Sequence, residues 1–158
     1  MDDDRSTQGN PMPQQAKLRH FAITTADPEE TARFYEQAFG MKRVGRTDSP
    51  IARGVYLSDG VINLAILKYK DVGASGPERG LDWYGIHHVG FWVDEVKSAG
   101  EQISAAGGTY MMGEVSNSPS TFYEVKYRGP DGVIIDITEH GWVGAVKDAE
   151  EREPAPAK

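Results

Sequence analysis

Three histidines and one aspartate are placed where they could do chemistry. His20 opens the alternating run RHFAITT, His87 and His88 open HHVGFWV, and Asp136 sits inside VIIDITEH. Successive side chains on a strand point to opposite faces, so His87 and His88 cannot share an environment. By this parity His20, Ala22 and Thr24 lie on one face of their strand, opposite Phe21, Ile23 and Thr25. In the second run His88, Gly90 and Trp92 oppose the apolar face of Val89, Phe91 and Val93. His20 and His88 thus take equivalent places, each turned away from the layer that packs on a helix. His87 points toward the helix layer or the rim. Asp136, sharing a face with Ile134 and Thr138, is costly in so apolar a strand unless it is paired, hydrogen-bonded or metal-bound.

The equivalence of the two histidines reflects an internal repeat. LRHFAITTADPEETARFYEQAFG (18–40) matches IHHVGFWVDEVKSAGEQISAAGG (86–108) in order: histidine, alternating strand, aspartate, helical stretch, glycine. Asp27 follows His20 by seven residues and Asp94 follows His88 by six; each then precedes a helix-ending glycine, Gly40 or Gly107, by thirteen. Asp27 is expected to cap the first helix, with Pro28 in its first turn and Glu30 at the capping-box spacing. Asp94 is expected to cap the second. Ala32, Tyr35, Ala38 and Phe39 supply the first apolar stripe, and Val96, Ala99, Ile103 and Ala106 the second. The back halves share Asp-Gly-Val-Ile at 59–62 and 131–134, with the Asp-Gly pairs marking hairpin turns. The order is βαβββ, twice. A gapless alignment on the shared tetrapeptide pairs Asp136 with Leu64 and breaks parity. Allowing one residue of difference in the turn makes Asn63 the polar equivalent, so the inward set is His20, Asn63, His88 and Asp136.

These modules occupy one domain, expected over 17–146: module one at 17–69, a soft linking loop at 70–84, and module two at 85–146. Residues 1–16 and 147–158 are polar, charged or proline-bearing and are expected to be disordered tails. The net charge of −7 argues against a nucleic-acid partner. No cysteine is present, which excludes disulfides and thiolate metal sites. No run is long and apolar enough for a membrane span and the first residues lack signal-peptide character, so the expected location is the cytoplasm.

RHFAITTADPEETARFYEQAFGM, HHVGFWVDEVKSAGEQISAAGG and the ligand-strand pattern GPDGVIIDI resemble the vicinal oxygen chelate superfamily of glyoxalase I, extradiol dioxygenases, methylmalonyl-CoA epimerase and antibiotic-resistance proteins. The resemblance covers roughly 17–141. It implies an α+β fold in which two tandem βαβββ modules form a cup-shaped mixed sheet with helices outside. It also implies a divalent metal in the cup, held from the first and last strands of each module, and a homodimer. Carried over, the ligand positions are His20, Asn63, His88 and Asp136. Asn63 departs from the glutamate or histidine usual in glyoxalase-like members, leaving His20, His88 and Asp136 as a two-histidine, one-carboxylate site with open positions.

Three functions compete on this reading. The favoured one is an extradiol-dioxygenase-like oxygenase using Fe(II) or Mn(II), its small-molecule substrate chelating the metal through vicinal oxygens. Trp92 would stack on that substrate, Asn63 would contact it, and Glu124, Tyr127, Tyr123 or His140 would move protons. The second is a glyoxalase-like lyase or epimerase, with Zn or Ni as further candidate metals. The third is a metal-free binding or resistance protein. If His88 is the ligand, its replacement should cost metal and that of His87 should not.

Overall fold

The computed structural model describes residues 15–113 and 124–150. Module one runs β1 (Lys17–Thr24), α1 (Pro28–Phe39), β2 (Lys42–Asp48), β3 (Ala52–Ser58) and β4 (Asn63–Tyr69). A short helix, α2 (Val72–Ser75), lies in the connection. Module two repeats the order with β5 (Gly85–Trp92), α3 (Val96–Ala105), β6 (Thr109–Met112), β7 (Val125–Arg128) and β8 (Ile134–Thr138). The eight strands form one open, curled mixed sheet in the order β2-β3-β4-β1-β5-β8-β7-β6. Each module closes a parallel pair through its helix, β1 with β4 and β5 with β8. The antiparallel pairing of β1 with β5 joins the halves. None of the helices is long and apolar enough to cross a membrane among the described residues.

Local chemistry explains the boundaries of α1. The Asp27 carboxylate accepts from the backbone N–H groups of Glu29 and Glu30, Pro28 occupies the first turn, and Gly40 ends the helix at φ 66°. The cap of α3 is Glu95, not Asp94: the Glu95 carboxylate accepts from Lys97 N and Ser98 N. Counted to Glu95, the distance from His88 becomes the same seven residues that separate His20 from Asp27. Asp94 instead pairs with the Lys147 ammonium, which also donates to Val93 O.

Strand parity decides what is buried where. Beneath α1, Ala32 packs with Val55, Leu57 and Ile66; beneath α3, Val96 and Ala99 pack with Val93, Val125, Tyr127 and Ile137. A third cluster, Ala22, Ala52, Ala65, Leu67 and Tyr69, lines the opposite, concave side of module one. The stripe expected on α1 fails at Phe39, which is 68% exposed and packs edge-on with Phe34 on the outer surface. After β8 the chain folds back over module one. There Val146 N donates to Val61 O, Ser58 Oγ to Gly144 O, and Arg19 Nε to Val146 O. This strap carries Trp142 into the cup.

Candidate metal centre

His20 and His88 lie on the concave face, turned away from the helices, and both are buried. Their Nε2 atoms approach to 3.0 Å. Asp136, wholly buried on β8, brings Oδ2 to 3.2 Å from His88 Nε2. The closeness has a backbone cause: a Cβ at Gly90, the β5 partner of both His20 and Asp136, would stand 2.8 Å from His20 Cβ and 2.7 Å from the Trp142 ring. Only glycine admits that approach.

The second nitrogen of His20 is engaged. Its Nδ1 lies 2.7 Å from Asn63 Oδ1, while Asn63 Nδ2 donates to Val143 O at 2.8 Å. With its amide N–H committed to a carbonyl, Asn63 presents an acceptor, so His20 Nδ1 donates and Nε2 keeps its lone pair. Asn63 therefore orients a histidine, and its oxygen is occupied by that ring. On the far side, His87 is buried rather than at the rim. Its Nδ1 lies 2.8 Å from His88 Nδ1 and 3.4 Å from Tyr69 Oη, and its Nε2 lies 2.7 Å from Ser75 O. Burial lowers the pKa of all three rings, of His88 well below its ordinary value and of His87 to about 4.

Two charged residues complete the site. Lys126, the cross-strand partner of Asp136, places its ammonium against Asp136 Oδ2 and 3.3 Å from Glu124 Oε2. Burial opposes the Lys126 charge, but Asp136 and Glu124 outweigh it and raise its pKa. Burial also works to raise the Glu124 pKa; the Lys126 ammonium overcomes it and brings the group down to about 2. Asp136 is pushed well above the usual carboxylate range by its burial, against the pull of Lys126. Trp142 stacks on His20, centroids 4.6 Å apart and planes within 4°, and its indole N–H donates to Glu124 Oε1.

This donor set fits a divalent ion. The ligand atoms of His20, His88 and Asp136 all lie within 4.8 Å of one another. Two ligands at about 2.1 Å from an ion and roughly at right angles are about 3.0 Å apart, which is the spacing of the two Nε2 atoms. Asp136 Oδ1 is buried with no hydrogen-bond partner among the described residues, an oxygen that an ion would satisfy.

The site opens into a cavity of about 360 Å³ lined by His20, His88, Asn63, Glu124, Lys126 and Trp142 on one side. Tyr56, Ala65, Leu67, Tyr69 and Val143 form the apolar walls. Of the residues expected to move protons, Glu124 is here. Tyr127 is not: it lies in the core beneath α3, its hydroxyl against Gly100. His140 is exposed beside Glu139, and Tyr123 lies outside the described residues. Trp92 does not line the cavity; its ring packs against Gly141 and its N–H donates to Glu139 O at 3.0 Å. The tryptophan in the cavity wall is Trp142, stacked on His20, which sequence reasoning missed because it follows the last strand and carries no periodic signal. Lys126 was also missed, although counting back across the Asp-Gly turn would have set it opposite Asp136.

Register refines the module equivalence. His20 pairs with Asn63 and, two residues on, Ala22 pairs with Ala65. In module two His88 pairs with Ile134, and it is Gly90, two residues on, that pairs with Asp136. The register counterpart of Asp136 is therefore Ala65, and not Asn63 as the turn-length allowance implied.

Among curated proteins, none matches the chain. Solved structures match its fold. A methylmalonyl-CoA epimerase in complex with methylmalonyl-CoA and NH4+ is 17% identical, with a TM-score of 0.63 over 77% of this chain and 92% of that one. A single-substitution variant of the Streptomyces coelicolor methylmalonyl-CoA epimerase, in complex with 2-nitronate-propionyl-CoA, is 18% identical, with a TM-score of 0.64 over 79% and 96%. A hypothetical protein from Bacillus halodurans C-125 is 17% identical, with a TM-score of 0.63 over 88% of this chain and 100% of that one. The family model for the Glyoxalase/Bleomycin resistance protein/Dioxygenase superfamily matches residues 17–137, and the chain belongs to that superfamily.

Proposed function

We propose that the chain is a divalent-metal enzyme that moves a proton at a carbon beside a carbonyl, in a small substrate bearing two neighbouring oxygens. His20, His88 and Asp136 would hold the metal. The observation that carries this reading is Glu124, the one carboxylate among the described residues lining the cavity. When bound, the metal would polarise the substrate oxygens as a Lewis acid. Glu124 is then the proton acceptor at the substrate carbon. Its basicity is held down by the Lys126 ammonium; charge developing on a substrate oxygen draws that ammonium away and raises the affinity of Glu124 for the proton. Trp142, Leu67 and Val143 exclude water around the transfer. The epimerase structures that share the fold support a proton-transfer reaction.

A ring-cleaving oxygenase ranks second. It draws on the same three open-sided ligands and on the engagement of Asn63 away from the ligand set. Of its expected acid–base residues, Tyr127 and His140 do not line the cavity.

Protein loaded with Zn²⁺, Mn²⁺ or, anaerobically, Fe(II) tests the choice. Deuterium wash-in at the α-carbon of methylmalonyl-CoA and of a thiol–ketoaldehyde adduct would be followed by NMR, alongside oxygen uptake with catechols. We expect wash-in, abolished in Glu124→Gln at unchanged metal content. Oxygen uptake without wash-in would install the oxygenase instead, and absence of both with no metal bound would leave a binding protein.

A further inference from the structure

We propose that His87 is the positioning residue that makes His88 a metal ligand, its own orientation being set by the Ser75 carbonyl of the inter-module segment. The inference rests on the metal reading above. Ser75 O can only accept, so the His87 Nε2 that lies 2.7 Å from it carries a proton. The neutral ring then has a bare Nδ1. That atom is 2.8 Å from His88 Nδ1, a distance that requires a proton between the two, and only His88 can supply it. With its proton on Nδ1, His88 directs the Nε2 lone pair at the place where His20 Nε2 and Asp136 Oδ2 converge, 3.0 and 3.2 Å away.

The other tautomer of His88 would produce a different object. A proton on Nε2 would be given to Asp136 or His20, and the three residues would close into a hydrogen-bonded triad with no lone pair for an ion on His88. It would also set two imidazole lone pairs against each other at 2.8 Å; the tautomer proposed here opposes the His20 and His88 Nε2 lone pairs at 3.0 Å, and that repulsion, unlike the first, is removed by an ion placed between them. The carbonyl of Ser75, four residues after Asp71 and held by the α2 turn, keeps His87 Nδ1 bare and so weights the balance toward the metal-binding tautomer of His88. Arg79 fixes the same corner, donating to His87 O at 2.8 Å with its guanidinium over the Trp83 ring. The segment 70–84, expected to be a soft connection, thus decides the chemistry of a ligand on the neighbouring strand. The expectation that His87 is dispensable for metal is replaced by the opposite one.

Two measurements test this. In Zn²⁺-loaded wild type, ¹H–¹⁵N spectra of the imidazoles should show the His88 proton on Nδ1, hydrogen-bonded to His87 Nδ1; a His88 Nδ1 proton with no coupling to His87, or a proton on Nε2, would overturn the proposal. Zn²⁺ would then be titrated against a chromophoric chelator in wild type, His87→Phe and His87→Asn. We expect His87→Phe to bind about 10–100-fold more weakly, the range for loss of a partner that orients a ligand. His87→Asn, whose amide oxygen can take the place of Nδ1 as acceptor, should recover most of that loss. Wild-type affinity in His87→Phe, or no recovery in a folded His87→Asn, would refute the role. If wild type itself takes up no Zn²⁺, the metal reading fails and this role of His87 fails with it, whereas Zn²⁺ uptake unchanged in His87→Phe refutes the role of His87 alone.

Discussion

The two modules share a chain path and differ in what they put behind it. In module one the histidine is oriented by an amide, Asn63, from its own last strand; in module two it is bonded to a second histidine tied to the inter-module segment. At the register position where module two carries Asp136 opposite Lys126, module one carries Ala65 opposite Tyr56. Toward the cavity, one half presents no carboxylate or ammonium and forms wall. The other concentrates the carboxylates and the ammonium. Duplication thus yielded one geometry and two chemistries, and an asymmetric site can bind an asymmetric substrate in a single orientation.

The sharpest way to break this comparison is to discharge module two. Lys126→Met leaves Asp136 and Glu124 buried without their cation. It should cost about 3–5 kcal/mol, the usual penalty for removing one partner of a buried pair. Urea unfolding at pH 7 measures it, and a loss below about 1 kcal/mol would show that water, and not Lys126, solvates those carboxylates.

Acid should act next most strongly. Burial holds His87 at about 4 against an ordinary 6.5, so below about pH 6.5 the unfolded chain takes the proton first and stability falls. The fall continues to about pH 4, where the folded ring titrates as well, and reaches about 3 kcal/mol. His20 and His88, also lowered by burial, act in the same direction. Unfolding midpoints at about pH 7 and pH 5 should differ accordingly, and the slope should be shallower in His87→Phe. Asp136, raised by its burial, acts in the opposite direction, so the comparison with His87→Phe isolates the ring: an equal slope in that variant would mean that His87 is not buried in neutral form.

The smallest effect sharpens the register equivalence. Ala65→Asp supplies the carboxylate that module one lacks, and should tighten Zn²⁺ binding about tenfold, or about 1.4 kcal/mol. Weaker binding would show that equivalence in the sheet is not equivalence at the ion.

How much of this was legible follows from the range of each cause. Parity and helical periodicity act over a few residues, and the repeat displays each twice, so the βαβββ order and the shared concave face of His20, His88 and Asp136 could be read directly. The cap at Glu95 was missed by one residue because Asp94 is the commoner capping type, and the counterpart of Asp136 because a turn length cannot be counted from sequence. Lys126 required the β7–β8 register. Trp142 required the path of a strap beyond the last strand, and His87 required a backbone carbonyl twelve residues away. The last two are long-range facts without local signature.

The site straddles the seam between β1 and β5, and this has a kinetic meaning. His20 and Asn63 are 43 positions apart within one module, whereas His20 and His88 are 68 apart and meet only when the halves join. Pairings of greater sequence separation demand more chain entropy and form later along the folding path. Interactions absent from the transition state leave the folding rate almost untouched and act on the unfolding rate. Whatever binds across the seam therefore lengthens the lifetime of the native state without hastening its formation.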